Sequence, residues 1–206
     1  MRVDADQNAN GLTGFWNEGF WGFNVTVATT YTVSFYLRGS YSGDLQTSFY
    51  SNTSNSELGQ VTFSVSQTEN DGWVRYEQTL EVHTSAPDEK NTFRLTYEGS
   101  KIAGGSLRFS LISAFPETWD NSASRLRQDL ASDLFALNGK FLRMPGGNNM
   151  EGQSSPYLWN WNATLGPLTD RPGRPGTWGY YNTDGFGLLE MMQVLVPPFK
   201  QEPWNV

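Results

Sequence analysis

The chain has 206 residues and a mass of 23.1 kDa, with 37% hydrophobic, 15% aromatic and 17% charged residues and a net charge of −7 at pH 7. Zero cysteines exclude disulfides and thiol catalysis, a single histidine excludes histidine-rich metal sites, and the acidic balance disfavours a nucleic-acid partner. No apolar stretch approaches the ~18 residues of a membrane span, so we expect no membrane partner. We also expect no metal and no other cofactor.

Residues 12–115 contain short β-rich runs separated by turn-forming residues. In the clearest run, 31–37, Val33, Phe35 and Leu37 alternate with Thr and Ser, a pattern typical of a strand with one buried face. Further strands are predicted at 45–50, 60–66, 73–82, 92–97 and 106–112. This spacing predicts an antiparallel β-sandwich, and a jelly-roll-like topology fits it as well as other sandwich topologies do.

Two features of this part have a structural and a functional interpretation. The lone His83 ends a predicted strand, so we interpret it as structural and not as part of a catalytic triad. Trp16, Phe20, Trp21 and Phe23 are interpreted as core residues, because a sandwich needs large interior side chains. The alternative is an exposed aromatic platform that binds polysaccharide.

The pattern changes after residue 116. Leucines at positions 126, 130, 134 and 137 predict a helix over 122–137, capped by Asn121 or Ser122. A short strand at 140–144, a glycine turn and a second helix at 187–193 follow. This order is typical of an α/β barrel, but residues 117–206 are far fewer than the ~250 of a complete barrel. The sequence therefore predicts a sandwich at 12–116 and an incomplete (β/α) TIM barrel at 117–206.

The long segment 141–187 carries the candidate binding residues. Gly146 and Gly147 permit a sharp turn that presents Asn148, whose amide both donates and accepts hydrogen bonds, as a sugar hydroxyl does. Trp and Tyr side chains further along offer flat apolar faces for a sugar ring, although loop tryptophans also fill cores. Four carboxylates lie in or just after this segment, and we nominate none of them as catalytic: Glu151, Asp170, Asp184 and Glu190. Glu190 lies on a predicted helix, Asp170 could pair with Arg171 or Arg174, and Asp184 precedes a glycine in a predicted turn.

Together these motifs resemble the fungal type of α-L-arabinofuranosidase in glycoside hydrolase family 51. The resemblance is carried by Arg-Met-Pro-Gly-Gly-Asn-Asn at 143–149, Trp-Asn-Trp-Asn at 159–162 and Trp-Gly-Tyr-Tyr-Asn-Thr-Asp-Gly at 178–185. Residues 19–25 and 105–116 also resemble the carbohydrate-binding-module-like insert of those enzymes.

The resemblance implies a secreted retaining hydrolase that removes terminal arabinofuranosyl groups from arabinoxylan or arabinan, without a metal, by means of two glutamates. Asn148 matches the sugar-contacting asparagine of the family motif, and Trp178 matches a tryptophan that lines the arabinose pocket. The family's catalytic glutamates lie on later barrel strands, so the resemblance implies no catalytic residue in this chain. We therefore expect an extracellular fragment that is inactive alone.

Two alternatives remain open: a sandwich that binds polysaccharide without catalysis, and a purely structural sandwich. The polar start at 1–6 predicts no signal peptide within this chain. Glycosylation sequons begin at Asn24, Asn52 and Asn162. A chain this rich in Asn, Ser and Thr is expected to contain about as many sequons by chance alone.

Overall fold

The computed structural model describes residues 1–102, 104–119, 126–139, 141, 143–151 and 157–195. The chain divides into two compact units, Met1–Glu117 and Thr118–Val206.

The first unit is an antiparallel β-sandwich. Its described residues form eight strands: β1 (Arg2–Asp4), β2 (Leu12–Asn17), β3 (Thr30–Arg38), β4 (Tyr41–Ser51), β5 (Ser56–Gln67), β6 (Val74–Glu81), β7 (Asn91–Glu98) and β8 (Ser106–Phe115). These strands make two four-stranded sheets, in the orders β1-β8-β3-β6 and β2-β7-β4-β5, and every neighbouring pair is antiparallel. The predicted antiparallel sandwich is confirmed, and β1 extends it before residue 12.

Alternation along the strands builds the core between the sheets. Val33, Phe35 and Leu37 on β3 are fully buried, as predicted. The Phe35 ring lies 4.9 Å from Phe63 on β5 of the other sheet and 6.1 Å from Phe109 on β8, between ring centroids. Edge-to-face and tilted aromatic pairs of this kind add stabilisation beyond the area that they bury. Phe35 therefore helps to join the two sheets.

The core interpretation is wrong for three of the four aromatic residues at 16–23. Trp16, Phe20 and Trp21 are 64%, 69% and 88% exposed, and only Phe23 packs against the core, where it contacts Phe49. The reason is positional. Phe15 points inward on β2, so the next residue, Trp16, points outward, while Phe20 and Trp21 lie on the loop that follows β2.

The second unit contains short elements. Its described residues form α1 (Gln128–Ala136), α2 (Asn148–Glu151), β9 (Arg174–Pro175), β10 (Tyr181–Asn182) and α3 (Leu188–Leu195). Helix α1 is shorter than the predicted 122–137, and the predicted caps Asn121 and Ser122 lie outside the described residues.

The barrel segment predicted for 117–206 stays a prediction. Of the expected strand at 140–144, Lys140 and Leu142 lie outside the described residues, and residues 141, 143 and 144 are not in a strand. In the described part of this unit, the strands that pair are β9 and β10, and they are antiparallel. None of the helices formed by the described residues is long and apolar enough to span a bilayer.

Replacing Phe35 by Ala is expected to lower the free energy of unfolding of the sandwich by about 3–5 kcal/mol, because it removes a buried ring and leaves a cavity between the sheets. Thr32→Ala on the exposed face of the same strand is the matched control, with a loss under about 1 kcal/mol. Urea unfolding followed by far-UV circular dichroism measures both. Equal losses in the two variants would show that the Phe35 ring does not join the sheets.

Candidate functional site

The site is built around a glycine turn in the second unit. Gly146 and Gly147 have φ of +73° and +59°, a left-handed conformation that glycine adopts without a side-chain clash. Asn148 follows immediately as the first residue of α2, and its side chain is exposed. The turn thus presents the Asn148 amide at the surface of this unit.

A β-hairpin approaches this turn. Strands β9 and β10 pair, and the Gly176 amide donates to the Tyr180 carbonyl at 2.6 Å, so that 176–180 forms a tight tip. A Cβ at Gly176 would lie 2.7 Å from that carbonyl oxygen, which explains why glycine stands there. Trp178 lies on the tip and is 70% exposed.

One hydrogen bond joins the hairpin tip to the residue after the glycine turn, and a second joins the segment before the hairpin to α2. The Thr177 hydroxyl donates to the Asn148 carbonyl at 3.2 Å, and the Trp159 amide donates to the Met150 carbonyl at 3.2 Å. Thr177 precedes Trp178, so the two residues predicted to bind sugar, Asn148 and Trp178, lie on loops that are in direct contact. Sequence reasoning missed Thr177, because a threonine 29 residues from its partner carries no local signal.

Arg171 fixes the base of the hairpin segment. Its guanidinium forms an ion pair with Glu190 on α3 at 2.7 Å, with side chains only 5% and 14% exposed. It also donates to the carbonyls of Gly166 at 3.1 Å and Asp184 at 2.9 Å. Such bidentate, charge-assisted contacts hold fixed positions better than single neutral hydrogen bonds. Arg171 therefore connects the parts of a segment that has little regular structure.

A second buried ion pair lies on the hairpin. The Arg174 side chain approaches the Asp184 carboxylate at 3.5 Å, with exposures of 7% and 10%, and it also donates to the Tyr157 carbonyl at 3.5 Å. The expectation that Asp170 pairs with one of these arginines is wrong: Asp170 accepts from the Thr169 hydroxyl at 3.0 Å. Charge pairing depends on the fold, and the sequence shows only that both signs are nearby.

The environment of Glu190 opposes a role as a general acid. Burial by itself raises the pKa of this carboxyl, but hydrogen bonds from Arg171 and from backbone N–H groups, together with the arginine charge, outweigh it and lower the pKa. A general acid in glycoside hydrolysis needs a raised pKa. Glu190 is therefore held as a carboxylate paired with Arg171, and Asp184 is likewise engaged by an arginine.

The remaining predicted sites lie on the surface. Asn24, Asn52 and Asn162 are all exposed, and their glycosylation stays a prediction. His83 donates its backbone N–H to the Leu58 carbonyl at 2.8 Å, at the end of β6. Within the described ranges, no cluster of three or more His, Asp or Glu side chains is arranged to hold a metal ion.

Comparison with known proteins agrees with the resemblance in sequence. A family model described as "Alpha-L-arabinofuranosidase 1 domain" matches residues 133–201, which include the glycine turn and the hairpin. The chain is 39% identical over 192 residues to a probable α-L-arabinofuranosidase A of Aspergillus terreus, covering 93% of this chain and 30% of the relative. It is 41% identical over 190 residues to α-L-arabinofuranosidase A of Aspergillus kawachii, covering 92% of this chain and 30% of that relative.

A solved structure gives the same result. The arabinose-bound α-L-arabinofuranosidase MgGH51 superimposes with a TM-score of 0.83 at 40% identity, covering 94% of this chain and 31% of that one. The resemblance to the glycoside hydrolase family 51 α-L-arabinofuranosidases is thus confirmed over nearly the whole chain. The chain spans about 30% of the length of the curated relatives that it matches.

The Arg171–Glu190 pair is expected to make the second unit sensitive to acid. Because the pKa of Glu190 is lowered on folding, the ionised carboxylate stabilises this unit at pH values above the ordinary glutamate pKa of about 4.3. This stabilisation is lost as the pH falls through the lowered, folded-state value. Hydrogen exchange of the backbone at 160–187, expressed as protection factors relative to the intrinsic exchange rate at each pH, should show lower protection at acid pH.

In Glu190→Gln, the same segment is expected to lose about 1–3 kcal/mol of protection at neutral pH, because the arginine loses its charged partner. Its acid dependence should also be weaker than in the native chain. Asp170→Asn, at an exposed carboxylate, is the matched control and should exchange like the native protein. Native-like exchange in Glu190→Gln would contradict the structural role of the pair.

Proposed function

We propose that the second unit binds a terminal α-L-arabinofuranosyl group of a plant polysaccharide, as part of an α-L-arabinofuranosidase. One observation carries the proposal: the Thr177–Asn148 hydrogen bond brings the tryptophan hairpin to the glycine turn. Both elements lie in the segment that matches the arabinofuranosidase domain model. The arabinose bound in MgGH51, a relative at 40% identity, gives further support for this class of ligand.

The chemistry of the two residues suits a small neutral sugar. The Asn148 amide both donates and accepts hydrogen bonds, so it can bind a hydroxyl in either sense. The Trp178 indole has 70% of its surface free to lie against a furanose ring. Because neither group is charged, the pair favours a neutral sugar over a phosphate or a uronic acid.

Hydrolysis by this family needs a pair of carboxylates, about 5–5.5 Å apart in a retaining enzyme, of which one acts as nucleophile and the other as acid and then base. We nominate no carboxylate of this chain for either role, since Glu190 and Asp184 are buried against arginines. Our proposal is that residues 1–206 contribute to binding of the sugar and do not supply the catalytic pair.

The same proposal extends to the architecture and the location of the protein. We take 12–116 as a jelly-roll-like module of the carbohydrate-binding type and 117–206 as the beginning of a TIM-barrel catalytic domain. The enzyme would be extracellular and glycosylated at Asn24, Asn52 and Asn162, whose exposure leaves each side chain accessible. Arabinoxylan or arabinan would be the substrate.

Binding of an arabinofuranosyl-substituted xylo-oligosaccharide tests the proposal, with affinity measured by calorimetry on the 206-residue chain. We expect Asn148→Ala and Trp178→Ala each to weaken binding by about tenfold, through loss of a hydrogen-bonding amide and of a stacking surface. Trp161→Ala is the matched control, because that tryptophan is 53% exposed in the same segment, and it should bind normally. Native affinity in both site variants would contradict the proposal.

Thr177→Val tests the positioning of the hairpin, because valine keeps the shape and removes the hydrogen bond to the Asn148 carbonyl. We expect affinity for the arabinofuranosyl ligand to fall several-fold, about 1 kcal/mol for one hydrogen bond.

No arabinose should be released from the ligand by the native chain. Release of arabinose would show that the chain does contain a catalytic pair.

A further inference from the structure

The outward face of the sheet β2-β7-β4-β5 carries side chains that the core does not use. The strand register places Trp16 on β2 beside Arg94 on β7, and Arg94 beside Ser48 on β4. Ser48 in turn lies beside Gln60 on β5. These four residues form a row across all the strands of the sheet, and we call this row and its neighbours the outer face.

Trp16 presents its indole at one end of the row. The inward residue before it, Phe15, packs edge-to-face on Phe109 at 5.2 Å, which fixes the strand so that Trp16 points out. Trp16 is 64% exposed. Gly14, two residues earlier on β2, has no side chain, because a Cβ there would overlap the Leu95 carbonyl oxygen of β7. The indole is therefore accessible on a rigid strand.

Arg94 is held in a fixed orientation next to it. Its guanidinium carbon lies 3.4 Å from the centroid of the Tyr50 ring, a cation–π contact. Its Nε donates to the Thr92 hydroxyl at 3.1 Å. Tyr50 is itself held by its own hydroxyl, which donates to Asn55 at 2.5 Å. The terminal nitrogens of Arg94 have no hydrogen-bond partner among the described residues of this unit.

The rest of the outer face is rich in hydrogen-bonding groups. Gln46 on β4, Thr96 on β7, and Gln60 and Thr62 on β5 line it, and the carboxylates of Asp44 on β4 and Glu98 on β7 lie at one end of it. With strands ~4.8 Å apart, the row from β2 to β5 extends about 14 Å, which is longer than one sugar ring. A flat aromatic surface followed by a fixed arginine, amides and hydroxyls, with carboxylates at one end, offers both donors and acceptors to the hydroxyls of a chain of neutral sugars.

We propose that the outer face binds the unbranched backbone of a neutral polysaccharide, with one ring on Trp16 and the hydroxyls of the next rings hydrogen-bonded to Arg94 and the amides beyond. This site lies in the first unit and differs from the arabinofuranosyl site of the second. It rests on the proposal that 12–116 is a module of the carbohydrate-binding type, and it uses none of the residues of the arabinofuranosyl site.

A second pair of exposed aromatics gives the competing location. Phe20 and Trp21 lie edge-to-face at 5.6 Å on the loop after β2, with Trp21 at a left-handed φ of +68°. Trp21 lies on a loop, so no row of cross-strand neighbours continues from its indole as it does from Trp16. Trp21→Ala is the matched control, since it removes an even more exposed indole a few residues away.

The experiment measures binding of xylohexaose and cellohexaose, neither of which carries arabinose, to the 206-residue chain by calorimetry and by quenching of tryptophan fluorescence. We expect binding of at least one of them, weakened about tenfold in Trp16→Ala and several-fold in Arg94→Gln. Trp16→Phe, which keeps a smaller apolar ring, should show an intermediate affinity. Trp21→Ala should bind like the native chain.

Several results would overturn the inference. Lack of binding of both oligosaccharides by the native chain, or native affinity in Trp16→Ala, would exclude the site. Loss of binding in Trp21→Ala but not in Trp16→Ala would place it on the loop instead. Binding of polygalacturonate alone, lost in Arg94→Gln, would contradict the neutral ligand. Loss in Trp178→Ala alone would assign the binding to the second unit. Circular dichroism of each variant checks that the sandwich is folded.

Discussion

The buried ion pair between Arg171 and Glu190 is the contact on which the organisation of the second unit depends. Residues 157–187 contain only two strands of two residues each and short helical turns, so regular hydrogen bonding cannot fix their path. Arg171 fixes this path instead, because it binds a carboxylate on α3 and backbone carbonyls of two other parts of the segment. A buried arginine of this kind is costly unless all its donors find partners, so the segment must close around it.

This closure has a direct consequence for the candidate site. The hairpin tip with Trp178 reaches the glycine turn through a single hydrogen bond to the Asn148 carbonyl, whereas its base is fixed by the Arg171 and Arg174 networks. The carboxylates that bind these arginines help to hold the base of the hairpin in place. The buried carboxylates of Glu190 and Asp184 are therefore engaged by arginines.

The sandwich is held together by aromatic packing, whereas the second unit is fixed by ion pairs. Its core uses Phe and Tyr rings such as Phe35 to join two sheets, and leaves tryptophans on the outside. Trp16 is held outward because its neighbour Phe15 is needed inside. The two proposals assign separate ligands to the two units: a polysaccharide backbone to the sandwich, and an arabinofuranosyl group to the second unit.

The sequence by itself determined the local features. Alternation at 31–37 predicts a strand with Val33, Phe35 and Leu37 inside, because a strand's side chains point to opposite faces in turn. The motifs at 143–149 and 178–185 carry the resemblance to the family, because they are specific over many residues. Gly146 and Gly147 predict a turn because glycine permits positive φ.

Only the tertiary structure decided which distant groups meet. Asp170 and Glu190 are equally plausible partners for Arg171 in sequence, and the fold selects Glu190, 19 residues away. Thr177 and Asn148, or Trp16 and Arg94, come together through hairpin and sheet pairing that no local pattern encodes. The exposure of Trp16, Phe20 and Trp21 follows from strand register and loop position, because a large apolar side chain has the same hydrophobicity whether the backbone turns it inward or outward.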